Sequence, residues 1–209
     1  GPVVEMRKLH DSAEQRIVHS AEMLDRKSLA SVGDTTGERL TALLTETKAH
    51  TPEELAANVA RIGELLGRFA LYVPARFTDD PAEQAKYWAV RSGIFPAVGG
   101  SRPAGTTCLS EDVAFHIEDL PRATAELQAL IARHGYDACI YGHALEDNYH
   151  FIINQSFSPP AEVARYEALM NDVAELVSAG TTARSKPSMA RGATWRPSSA
   201  ASRATTPWP

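Results

Sequence analysis

Two histidines, His143 and His150, bracket Glu146, Asp147 and Asn148 in the segment YGHALEDNYHF. If the chain turns at Glu146-Asp147-Asn148 between two short strands, both imidazoles can face one another across a hairpin. Two imidazoles placed in this way suit a divalent metal such as zinc. They equally suit a pair of hydrogen-bonding side chains, and the spacing leaves both readings open. A metal also needs a third, anionic ligand, and Glu146 sits too close in the turn to be an obvious choice.

A second group of reactive side chains lies in WAVRSGIFPAVGGSRPAGTTCLSEDVAFHI, Trp88 to Ile117. Arg91 or Arg102, aimed at a pocket, can hold a carboxylate through a two-pronged charge-assisted hydrogen bond. A solvated surface arginine is the plainer reading of each. Glu111-Asp112 reads as a turn, a cap or a catalytic pair. The sequence has no GxGxxG and no GxxxxGK[ST], and Gly99-Gly100-Ser101 is too short to cradle a phosphate. It has no GxSxG elbow, and Cys108 and Cys139 stand in no recognisable nucleophile or CxxC context.

The elements that must position these groups follow from periodicity. Leu55, Val59, Ile62, Leu66 and Phe69 mark one face of a helix that opens at Thr51-Pro52-Glu53-Glu54, a capping box with proline in the first turn. Leu127, Leu130 and Ile131 mark a second helix, opened by Asp119-Leu120-Pro121. A third, from Val163 to Val177, follows Ser158-Pro159-Pro160. A fourth starts at Asp80-Pro81-Ala82-Glu83 and runs towards Ile94, carrying Arg91. Strands are expected at 41–47, 70–77, 112–117, 138–141 and 149–154. Helices and strands in this order predict an α+β fold, a mostly antiparallel sheet with helices packed on it.

Composition sets the outer limits. Of 209 residues, 44% are hydrophobic and 22% charged, the balance of a globular protein with a real core. The net charge of -5 argues against nucleic acid as a partner. No apolar run is long enough for a transmembrane segment, no signal-peptide pattern is present, and two isolated cysteines fit a reducing cytoplasm. The charge is uneven. From residue 181 to 209 the chain carries five basic residues, no acid, and no Leu, Ile or Val, so the preceding 180 residues sum to -10. Such a tail is expected to be basic and disordered, because it cannot bury enough apolar surface to offset its ordering entropy. The domain plan is therefore a connecting segment over 1–19, one folded domain over 20–180, and the tail over 181–209.

Three motifs in register, WAVRSGIFP, GTTCLSEDVAF and YGHALEDNYHF, resemble the C-terminal substrate domain of FAD-linked oxidases, a ferredoxin-like cap. SAEMLDRKSL (Ser20 to Leu29) resembles the start of that domain. The likeness runs from about Ser20 to Val177. It is to flavin-type D-lactate and D-2-hydroxyglutarate dehydrogenases, and in particular to large bacterial proteins that join this flavin unit to an iron–sulfur part. The resemblance implies a small D-2-hydroxy acid substrate that gives a hydride from C2 to FAD. It implies that Arg91 grips the substrate carboxylate, and that His143, His150 and Asn148 are catalytic-site residues. His143 and His150 match positions that hold a divalent metal, where one is present, as a Lewis acid on the substrate hydroxyl. It also implies that FAD is held mainly by a preceding domain, that any iron–sulfur cluster belongs to other parts of the parent, and that the parent is cytoplasmic or peripheral to the inner membrane. The electron acceptor is not set by this chain. One departure is local: the family pattern has glycine where this chain has Asp147, which puts a side chain into the turn.

A second departure concerns the tail. The family continues with a motif like AEHGTGR, whose Glu is the third metal ligand and whose His is catalytic; this chain has ARSKPSMARGATWRPSS from Ala183 to Ser199. With one choice of synonymous codons and a one-nucleotide displacement, the same bases read SLKAEHGTGRNMAPF. A one-base shift near Ser178 to Thr182 is thus expected. The third ligand would be missing, metal binding would be weak, and loss of the last strand and helix would expose a sheet edge. Two classes of function follow: a fragment of an FAD-dependent oxidoreductase, or a stand-alone metal- or carboxylate-binding module without redox activity.

Overall fold

A computed structural model describes residues 1–11, 16–33 and 41–182. Residues 183–209, with the expected shifted reading frame, lie outside the described residues.

The element order is α1 (Pro2–His10), β1 (Ser20–Leu24), α2 (Arg26–Ser31), β2 (Ala42–Glu46), α3 (Pro52–Leu66), α4 (Pro81–Gly100), β3 (Thr107–Ala114), α5 (Leu120–Arg133), β4 (Cys139–His143), β5 (Asn148–Gln155) and α6 (Pro160–Thr182). The five strands form one sheet in the order β2-β1-β4-β5-β3, and each described pairing is antiparallel. The α+β expectation holds.

Strand alternation divides the sheet into two faces. Ala21, Met23, Val113, Ile140, Tyr149, Phe151 and Ile153 join one core with Met6 of α1, Ile62 and Leu65 of α3, Leu127 and Ile131 of α5, and Leu169 and Val173 of α6. Leu24, Cys139, Tyr141 and Ile152 point the other way, against Leu29 of α2 and Ile94 and Val98 of α4. Helices therefore pack on both faces. The second face carries the reactive side chains.

Local chemistry sets the helix starts. Thr51 Oγ1 accepts from Glu54 N at 3.1 Å, while Glu54 Oε2 accepts from His50 N at 2.9 Å, so the box closes one residue earlier than the standard pattern. Asp80 caps α4 by accepting from Ala82 N at 2.9 Å. The helix then continues past Ile94, through Pro96, to Gly100.

Three expectations need correction. Residues 70–77 form no strand; Leu71, Tyr72, Val73 and Phe77 are exposed in irregular chain. Apolar character alone does not make a strand: a strand needs a neighbour to take its backbone groups, and Pro74 has no N–H to give. The strand expected at 112–117 runs instead from Thr107 to Ala114, paired along its length with β5. Within the supposed connecting segment, Pro2–His10 is helical, and Met6 and Val18 are fully buried in the larger core.

Candidate functional site

β1, β4, β5 and β3 lie side by side, and two rungs of this ladder, separated by one that faces the other way, build the site. One rung runs Glu22, His143, Asn148 and Ala114; the other runs Leu24, Tyr141, His150 and Asp112. All eight share a face. The two histidines are thus diagonal neighbours across the β4–β5 hairpin, not direct opposites. Their ring centroids lie 5.6 Å apart with the planes nearly perpendicular. The hairpin brings them together as the turn at 146–148 predicted. Asp147 holds φ at 62° in that turn, which explains why glycine suits the position. Burial pushes the Asp147 carboxyl upward, with the nearby Arg7 guanidinium opposing the shift.

Each histidine is backed by a carboxylate. His143 Nδ1 lies 2.5 Å from Glu22 Oε1. His150 Nδ1 is paired with Asp112 Oδ1. A carboxylate only accepts, so each Nδ1 carries a proton and donates it. Among the described residues, no group bonds to either Nε2. A carboxylate on Nδ1 is the arrangement that fixes the tautomer of a reactive imidazole.

Arg91 reaches the same rungs from α4. Its Nε donates to Glu22 Oε2 at 3.0 Å, and its guanidinium lies over the Tyr141 ring, 4.7 Å from the centroid. Glu22 is only 4% exposed, so the pair is largely out of water. Burial pushes the Tyr141 phenol up, partly offset by the Arg91 charge. The Nε bond and the ring contact fix the plane of the guanidinium, whose fork is the shape that grips a carboxylate. Asn148 Oδ1 is buried and has no hydrogen-bond partner among the described residues, an acceptor consistent with a donor supplied by a ligand. A shallow cleft beside His143 is lined by His19, Ser20, Glu22 and Glu146 among others.

Arg91, His143, His150 and Asn148 thus converge. Other candidates do not. Arg102 Nη1 donates to Gly99 O at 2.6 Å and its Nε to Thr106 O at 3.2 Å, so it ties the end of α4 to the following loop. Strand alternation separates Glu111 from Asp112: Glu111 accepts from Tyr166 OH at 2.7 Å on the opposite face. They are no catalytic pair. Glu22 was missed by sequence reasoning. Its one local signal is a lone acid among apolar neighbours in SAEML, a pattern whose burial makes an unpaired charge untenable.

The donor set tests the implied cofactors. Two neighbouring imidazoles could supply part of a zinc site, but three protein ligands are the usual minimum. Among the described residues, no group of three His, Cys, Asp or Glu side chains could hold a metal. No step through a metal follows. For FAD, the sequence offers no Gly-rich phosphate cradle. No helix among the described residues is long and apolar enough to cross a membrane.

No curated protein sequence matches. Among solved structures, the chain is similar to a 4-ethylphenol oxidase from Gulosibacter chungangensis in an isoeugenol complex, with a TM-score of 0.48 and 12% identity. The match covers 86% of this chain and 41% of that one, so the chain spans less than half of that oxidase's length. A family profile described as FAD linked oxidases, C-terminal domain, matches residues 6–181. That match covers most of the chain, including all four converging residues and Glu22, and the chain belongs to the FAD-linked oxidase C-terminal domain family.

Proposed function

We propose that this chain forms the substrate side of an FAD-dependent oxidoreductase that oxidises a small D-2-hydroxy acid, of the D-lactate or D-2-hydroxyglutarate type. One observation carries the reading. A half-buried arginine, anchored through its Nε on Glu22, stands beside two carboxylate-backed imidazoles. An α-hydroxy acid has matching parts. Arg91 takes the carboxylate, and an Nε2 accepts the hydroxyl proton as C2 gives up its hydride. Asn148 Oδ1 offers a further acceptor. Bound FAD would supply the hydride acceptor. Exposed Tyr87, Trp88, Val90 and Phe95 flank Arg91 along α4, a surface suited to cover by the flavin-bearing part of a longer protein. The resemblance to the iron–sulfur branch belongs to the same proposal.

Calorimetric titration of the purified chain with D- and L-2-hydroxy acids tests it. Preferential binding of a D-acid, abolished by Arg91→Ala, is expected. Equal weak binding of both enantiomers, or none, would sink the substrate assignment. Tight binding by a chain that never acquires flavin, even with added FAD and the remaining domains, would favour the stand-alone module. Sequencing the gene across Ser178 to Ser199 decides the reading-frame question directly.

A further inference from the structure

Glu22 holds two site groups at once. Oε2 accepts from Arg91 Nε at 3.0 Å and Oε1 accepts from His143 Nδ1 at 2.5 Å. Its side chain is 5% exposed, whereas the Asp112 side chain behind His150 is 65% exposed. Water competes for the Asp112 oxygens and scarcely for those of Glu22. Both Glu22 oxygens are committed, and neither can donate.

We infer that Glu22 is a positioning residue that locks His143 in the Nδ1–H tautomer and ties it to Arg91. The inference rests on the proposed reading for its purpose: the carboxylate grip and the proton acceptor would be held at one fixed spacing by one buried anion. The physical claim about the tautomer does not depend on that reading. A bystander acid filling space would not dictate which nitrogen of His143 bears the proton.

The test is a long-range 1H–15N correlation spectrum of the full chain labelled at histidine, without flavin, metal or hydroxy acid, at a pH where the rings are neutral. His143→Gln assigns the resonance by its disappearance. In the unsubstituted chain, His143 is expected as the Nδ1–H form by at least about tenfold, the preference a charge-assisted bond imposes. Glu22→Gln then reverses it. The single amide oxygen stays with Arg91 Nε, the amide NH2 faces Nδ1, and the proton moves to Nε2. His143 found as Nε2–H in the unsubstituted chain overturns the inference even if Glu22→Gln does not fold. So does a folded Glu22→Gln protein in which His143 remains Nδ1–H. Because the sample contains no substrate, failure to bind any hydroxy acid would defeat the proposed function and leave this result untouched.

Discussion

Gly142→Ala is expected to pull the two histidine strands apart. Gly142 lies on β4 between Tyr141 and His143, with φ at 154°. An added Cβ would stand 2.6 Å from Asn148 O, 2.9 Å from the Tyr149 Cα and 3.2 Å from His150 N. All three atoms belong to the backbone of the paired strand, so none can rotate away as a side chain would. The hairpin must open or shift. Overpacking of this kind costs about 1–3 kcal/mol, and a strained backbone conformation adds about 1–3 kcal/mol. The two overlap because one movement relieves both, so about 3 kcal/mol is expected in total. For a chain of this size that is a fall in Tm of roughly 6–12 °C. Thermal and urea unfolding of the variant measure it. Gly63→Ala is the control of opposite sign. It lies inside α3, its Cβ would meet nothing within 4 Å, and helix propensity favours alanine by up to ~1 kcal/mol. A Gly142→Ala protein melting within about 2 °C of the unsubstituted chain, while Gly63→Ala stabilises, would refute the close-approach argument.

Other substitutions probe other layers. Phe151 is fully buried in the larger core, facing away from the site, and Phe151→Ala should cost about 3–5 kcal/mol in urea unfolding; a loss below about 1 kcal/mol would mean that this core is not packed as described. Asp25 caps α2 by accepting from Ser28 N at 2.8 Å, yet burial pushes its carboxyl above the ordinary 3.8. Its folded state therefore holds the proton more tightly than the unfolded state, and its contribution to stability falls as pH rises from 3.8 through the raised value. Asp25→Asn keeps the cap and removes that slope, so its stability relative to the unsubstituted chain should grow across this window; parallel stability curves would contradict the burial argument. Arg91→Lys keeps the charge but loses the fork and its Nε bond to Glu22, and should weaken D-2-hydroxy acid binding roughly 10- to 100-fold, read by calorimetry. An unchanged affinity would remove Arg91 from the binding site.

Helices were the most legible elements because their signals are local. The Leu127–Ile131 stripe and the Thr51 and Asp80 caps depend on residues within a turn or two, and each of these helices starts where those residues put it. Strands were less legible because they complete their hydrogen bonds with distant chain. Residues 70–77 look as strand-like as Ala42–Glu46, but only the latter finds a partner, in β1.

A short turn and two strands are a local matter, so the sequence by itself placed His143 and His150 within reach of one another if the chain turned at 146–148. It also carried the three motifs by which the family is recognised. Only the tertiary structure decided what stands behind the histidines. Glu22 lies 121 residues from His143 in the chain, and nothing local specifies that separation. The antiparallel register of β1 against β4 sets it. A one-residue slip of that register would turn Glu22 to the opposite face and leave Arg91 and His143 without their shared partner.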